Sequence, residues 1–326
     1  MARYLGRRLL QSLVLLWIVL TVTFLLLHLA PGDPMSRYYR PDVPAETVAN
    51  IRHGLGLDRP LAEQYARWIG SFIRGDFGVS LRYVRPVREV LAEAIPNTLR
   101  LTAAALALHI LVGVFLGVLS AMKRYSIFDR ANTVVALFVY SIPSFWLGLM
   151  LIMLFSLKLG VLPSSHMESI DAASLSGLAL AADRLKHLVL PAFVLGIASA
   201  ASTARFMRGS MLDVLREDYI RTARAKGLPE RTIMLKHALK NAALPVVTII
   251  GLSFPFLFGG AVVVETIFSW PGMGSLTVDS IYARDYPVVL AVNFVVAVMV
   301  IVGNLLADVA YGLLDPRVAA ARGARG

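Results

Sequence analysis

Six stretches of this chain run for eighteen residues or more without Asp, Glu, Lys or Arg: Leu9–Leu29, Leu101–Met122, Ala131–Leu157, His187–Ala204, Asn241–Val264 and Tyr286–Ala307. A helix needs about 20 residues to cross a bilayer core of roughly 30 Å, and lipid offers the backbone no hydrogen-bond partner outside the helix itself. The expected fold is therefore an all-α integral membrane protein with six transmembrane helices. Composition agrees, since 57% hydrophobic and 16% charged residues are too apolar for an ordinary soluble domain. Ala172–Ala182 is also uncharged, but it would reach only about 16 Å as a helix, so it reads as a loop or interfacial piece.

Arg3, Arg7 and Arg8 precede the first window, as in a signal peptide, but the apolar run is too long and no small-x-small site follows at "HLAPGDP". It reads as an uncleaved first span. The chain has no cysteine, which excludes disulfides. Short cytoplasmic loops carry the excess of Lys and Arg. Arg3, Arg7, Arg8, then Lys123, Arg124, Arg130, then the basic residues from Arg205 to Lys240, then Arg317, Arg322 and Arg325 all fall on one side of a six-span arrangement. Both termini and the basic loop are therefore expected in the cytoplasm. The net charge of +11 follows from that bias, and nucleic-acid binding need not be invoked.

The chain divides into an N-terminal transmembrane helix (1–30), an extracytoplasmic cap (31–96), a transmembrane domain (97–316) with a basic loop at 211–240, and a cytoplasmic tail (317–326). In the cap, Leu61, Tyr65, Trp68, Ile69 and Phe72 recur at helical spacing within Leu61–Arg74. Pro143 in "YSIPSFW" and Pro255 in "LSFPFLF" interrupt apolar helices, either as tolerated kinks or as a gate. His109, Asn293, Asn304 and Asp308 are costly in lipid and should face the bundle or water. Glu265 and "SWPGMG" follow the fifth window as a tight loop at its outer end. Pathway or gate candidates are thus Pro143, Phe145, Trp146, Glu265, Trp270, Pro271 and Gly272.

The basic loop "RTARAKGLPERTIMLKHALKN", Arg221–Asn241, is helix-prone. Met211–Lys226 is expected to be one helix, with Leu212, Leu215, Tyr219, Ala223 and Lys226 on one side. Gly227 supplies a left-handed stop and Pro229 opens a second helix that presents Ile233, His237, Ala238 and Asn241. Such an element either lies on anionic headgroups or docks a cytoplasmic protein. Its exposed Leu228 and small Ala223, Ala225 and Ala238 favour docking.

"DYIRTARAKGL" at Asp218–Leu228 and "HALKNAALPVVT" at His237–Thr248 resemble the EAA loop of ABC importer permeases, in the dipeptide/oligopeptide/nickel branch. The resemblance runs nearly end to end, through "RYLGRRLL", "PGDP", "LGLDRPLAEQY", "GDFGVS", "PSFWLGL", "HLVLPAFVLG", "RGSMLDVL", "ETIFSWPGMG", "RDYPVV" and "DPR". It implies a half-channel in a bacterial or archaeal plasma or inner membrane. This would pair with a second homologous permease, two ABC ATPases that bind ATP and Mg, and an extracytoplasmic solute-binding protein. The chain itself would bind no cofactor or metal. Arg221, Thr222, Ala223 and Gly227 take the motif's E, A, A and G places, with Arg221 standing where the motif has an acid and Glu217 and Asp218 one turn earlier. The implied ATPase-coupling set is Asp218, Tyr219, Arg221, Thr222, Ala223, Ala225, Lys226, Gly227, Leu228 and His237.

No G-x-x-x-x-G-K-[ST] phosphate loop occurs in the chain, so ATP chemistry by that route lies elsewhere, and no enzyme constellation stands out. Peptides are the first substrate class, with nickel, glutathione or another small solute as alternatives within the family. A more distant alternative is an ion-coupled secondary carrier using Asp308 and Glu265.

Overall fold

The computed structural model describes residues 2–29, 33, 35, 44–54, 56–243, 246 and 261–314. Among these residues the chain is helical, apart from an isolated bridge between Val79 and Pro86. α1 is Ala2–Leu29, α2 Ala45–Gly54, α3 Leu61–Ile73, α4 Val87–Met122, α5 Ile127–Ser141 and α6 Ser144–Leu151, which runs into a π turn at Ile152–Lys158. α7 is Gly177–Val214, α8 Asp218–Ala225, and α9 Glu230–Thr232 with its π continuation Ile233–Ala238. α10 Val262–Ile267, α11 Met273–Tyr282 and α12 Tyr286–Leu314 complete the order.

The centre is a pair of long helices. α4 has 36 residues and α7 has 38, so at 1.5 Å per residue each exceeds 50 Å by roughly a turn and overshoots the bilayer core. Their contact uses small residues. A Cβ on Gly117 would stand 2.6 Å from the Met207 Cβ, and one on Gly196 would stand 2.5 Å from the Ala105 carbonyl oxygen. Close backbone approach of this kind is how helices gain dispersion energy in lipid, where burial alone provides no drive. His109 lies in the same interface, its Nε2 2.6 Å from Thr203 Oγ1.

Helix boundaries depart from the charge-free windows because a helix tolerates charge where a window count does not. α4 starts at Val87, well before Leu101, and Gly177–Ala182 are the first turns of α7 rather than loop. Of the segment Ala172–Ala182, Ala172–Ser174 form a short 3-10 turn. The third window is not one straight span, since α5 and the α6 segment meet at 103°. Pro143 explains the break. It has no N–H to donate and pushes the preceding residue out of the helical region, and Ile142 is indeed extended at φ −76°, ψ 127°. Among the described residues four helices are long and apolar enough to cross a membrane, or five if the bent pair is one span. Most of the window Asn241–Val264, with Leu244, Pro245 and Pro255, lies outside the described residues.

The segment before α4 is packed onto the ends of the apolar helices. Tyr65, Trp68 and Phe72 of α3 turn inward as the spacing predicts, while Leu61 stays exposed. Phe24 stacks on Trp68 at 5.2 Å, Trp68 meets Phe72 at 4.6 Å, and the Tyr65 hydroxyl lies 2.7 Å from Thr21 Oγ1. Asp285, fully buried, accepts the Val288 N–H at the start of α12, and also accepts the Ser80 hydroxyl and the Arg82 N–H. The "GDFGVS" and "RDYPVV" stretches therefore meet as one capping interaction. Conversely, Leu9, Leu10, Leu13 and Trp17 of α1 and Val134, Val135 and Phe138 of α5 are exposed, a distribution suited to lipid or a partner helix.

Candidate functional site

The basic element is built on the end of α7. A buried cluster joins Ala121 of α4, Met207 and Met211 of α7, Ile220 and Ala223 of α8, and Ile233, Met234 and Ala238 beyond the corner. Two polar ties reinforce it: Ser210 Oγ donates to the Ala242 carbonyl at 2.8 Å, and Asn241 Nδ2 donates to the Tyr219 hydroxyl at 2.7 Å. α7 and α8 are not the single helix expected over Met211–Lys226, because the chain turns at 215–217. Glu217 is extended and starts α8 anew. The break rotates the second half, so Ile220 and Ala223 are buried while Tyr219 and Lys226 face outward, unlike the continuous face expected.

The corner follows from local chemistry. Gly227 has φ +75°, a region open to glycine at no steric cost. Its N–H bonds to the Arg224 carbonyl at 2.9 Å, and the Leu228 N–H to the Ala223 carbonyl at 3.3 Å. This paired pattern is the Schellman termination. Arg224 then clamps Glu230 across the corner with two hydrogen bonds, 2.7 and 3.2 Å, and its guanidinium holds the Glu230 carboxyl below the usual carboxylate range. Asp218, Tyr219, Arg221, Thr222, Ala225, Lys226, Gly227 and Leu228 are exposed, His237 is half-buried, and Ala223 is buried against α7. The arrangement is a knuckle with one face packed on the end of a long helix and the other exposed.

One ion pair above the knuckle escaped the sequence reading. Arg208 of α7 grips Asp129 in a bidentate pair, Nε to Oδ1 at 2.6 Å and a second nitrogen to Oδ2 at 2.7 Å. The Asp129 side chain is 4% exposed and also accepts the Tyr125 N–H at 2.9 Å. The signal was present in the sequence as a lone acid among Lys123, Arg124 and Arg130, and in the "RGSMLDVL" stretch. Removing the carboxylate in Asp129→Ala would take both hydrogen bonds from a guanidinium that is about a quarter exposed. We expect a loss of about 1–3 kcal/mol, read as a lower melting temperature of the detergent-solubilised protein.

The pathway candidates fall into two groups. Pro143, Phe145 and Trp146 sit at the α5–α6 bend, all exposed. Glu265, Trp270 and Gly272 are buried together, with Pro271 exposed beside them. Glu265 is 0% exposed; its carboxylate accepts the Thr98 hydroxyl at 2.8 Å and the Gly274 and Ser275 N–H groups at 2.7 and 3.1 Å. Those amides open α11, where the first N–H groups have no partner inside the helix and the helix dipole favours negative charge. The Met273 N–H goes to Thr98 Oγ1 at 2.7 Å, and Trp270 Nε1 donates to the Asn97 carbonyl at 2.9 Å. Glycine is required in this knot: a Cβ on Gly272 would stand 2.5 Å from Glu265 Oε2. Glu265 thus pins α11 to α4 across the chain. Asn293 and Asn304 line a groove between α1 and α12, and among the described residues no three His, Cys, Asp or Glu side chains gather as a metal site.

Long apolar helices packed through glycine, with a basic helical knuckle at the end of one of them, are the architecture of a helical membrane protein. The chain belongs to the family described as "Binding-protein-dependent transport system inner membrane component", which matches residues 113–320; the corresponding N-terminal family matches 1–102. It is accordingly an ABC importer permease. It is 44% identical to the oligopeptide transport system permease protein AppB of Bacillus subtilis (strain 168), over 98% of this chain and 99% of that one. A putative peptide permease of Brucella suis biovar 1 is also 44% identical over the same shares, and the glutathione transport system permease protein GsiC of Escherichia coli (strain K12) is 41% identical over 98% and 99%.

Proposed function

We propose that this chain is one of two permeases enclosing a path for short peptides, with its termini and the α8–α9 knuckle in the cytoplasm. Two ABC ATPases work from below and a solute-binding protein delivers from outside. The observation that carries the reading is the Gly227 corner, which presents an exposed surface on a base packed into α4 and α7. A push on that surface moves α7 as a lever, and the Ser210–Ala242 bond passes the motion to the segment that follows. Coupling requires contacts that differ between two states, so closure of the ATPases would favour one orientation of α7 and reopening the other.

The substrate class rests on the relatives, whose printed names are oligopeptide, peptide and glutathione permeases. Glutathione is itself a small peptide and is the second reading. The test is uptake by proteoliposomes holding this chain with its neighbouring permease, ATPases and binding protein. Labelled dipeptides, oligopeptides, glutathione and nickel are offered in parallel, with and without ATP. We expect peptide uptake that needs ATP and the full set of subunits. Uptake by this chain alone, driven by an ion gradient, would replace the reading with a secondary carrier.

A further inference from the structure

α5 has two different faces. Val134, Val135 and Phe138 are exposed and apolar, as lipid or a partner helix requires. Asn132, Ala136 and Tyr140, spaced at four residues, line a groove of about 230 Å³ against α7, together with Thr133, Ser202, Arg205 and Arg208. The two arginines differ. Arg208 is held by Asp129, whereas Arg205, three residues earlier on α7, is exposed and has no hydrogen bond or ion pair to any described residue. The hydroxyls of Ser202 and Tyr140 likewise have no partner among the described residues, and Asn132 uses only its Nδ2, donating to Ser120 Oγ at 2.8 Å. Polar groups clustered beside apolar helix faces turn to water or a ligand rather than to acyl chains. Among the described residues the groove therefore presents Arg205 without a counter-charge and several unused hydrogen-bonding atoms.

We propose that this groove is a station on the transport path at which Arg205 receives the carboxylate of the peptide in transit; the proposal rests on the peptide-permease reading above. Asn132 to Tyr140 spans about 12 Å of helix, enough for an extended peptide of about three residues at roughly 3.5 Å each. A guanidinium suits a carboxylate because its planar fork donates two parallel hydrogen bonds. Arg208 cannot take this role while Asp129 holds it, so the groove offers one carboxylate position, not two.

The chain has no cysteine, so Ser202→Cys places a single thiol in the groove of the complete complex. An anionic methanethiosulfonate should label it about ten times faster than a cationic one, and Arg205→Gln should abolish that preference. In ATP-driven uptake of a free-acid tripeptide, Arg205→Gln should lower the maximal rate about tenfold, the scale of one charged hydrogen bond, while Arg205→Lys retains most of it. Absence of the anionic preference, or unchanged uptake in Arg205→Gln, overturns the proposal. So does a thiol that reacts slowly with both reagents until anionic lipid is replaced by phosphatidylcholine, because Arg205 would then be holding a lipid phosphate. Wild-type complex is assayed first: if it takes up no peptide, the parent reading falls, whatever the labelling shows.

Discussion

Glu265→Ala is expected to unravel the packing of α11 on α4. The substitution leaves the Thr98 hydroxyl and the Gly274 and Ser275 N–H groups facing an empty, buried space. A buried donor left without a partner costs about 1–3 kcal/mol, so the combined loss is at least about 2 kcal/mol even if one donor finds another acceptor. For a chain of this size that corresponds to a fall of roughly 3 °C or more in the melting temperature, measured in detergent on the purified complex. Gly274→Ala should act in the same direction by a different route, since its Cβ would stand 2.7 Å from the Val262 Cα and 2.9 Å from Glu265 Oε2. If Glu265 instead touches the substrate or the coupling ion of a carrier, Glu265→Ala melts normally and only transport changes. That result would remove the structural role assigned to it.

Gly227→Pro should separate ATP hydrolysis from uptake. Proline holds φ near −65°, whereas Gly227 sits at +75°, and proline also deletes the N–H that bonds the Arg224 carbonyl. The chain past the corner must then leave in another direction, taking Leu228 and the Arg224–Glu230 clamp with it. The corner is exposed and lies at the edge of its buried cluster, so the transmembrane packing should survive and the complex should accumulate normally. Uptake should fall at least about tenfold, equivalent to about 1.4 kcal/mol in the coupled step. Gly227→Ala is the graded control: nothing lies within 4 Å of the added Cβ, so its effect is confined to left-handed strain of about 1–2 kcal/mol. Full uptake in a normally assembled Gly227→Pro complex would dismiss the corner as the coupling point.

Sequence alone determined what depends on local rules. Charge-free length located four of the six windows on long apolar helices among the described residues, because lipid forces the backbone to satisfy itself within each helix. The corner was legible because a glycine followed by a residue and then proline, after a helix-prone run, permits few backbone paths. The apolar side of α3 was legible for the same kind of reason, from a period of 3.6. The tertiary structure decided everything that joins distant positions. Asp129 and Arg208 lie 79 residues apart, and Thr98 and Glu265 lie 167 apart; no periodicity links them, so Asp129 drew no reading and Glu265 read as a pathway or gate candidate. The turn at 215–217 was hidden because its residues are adequate helix formers; burying Ile220 and Ala223 against Met207 and Met211 outweighs the propensity to continue. Partnership also separates Arg205 from Arg208. Three residues apart, they are indistinguishable as letters, and only the placement of Asp129 pairs one of them while the other has no partner among the described residues.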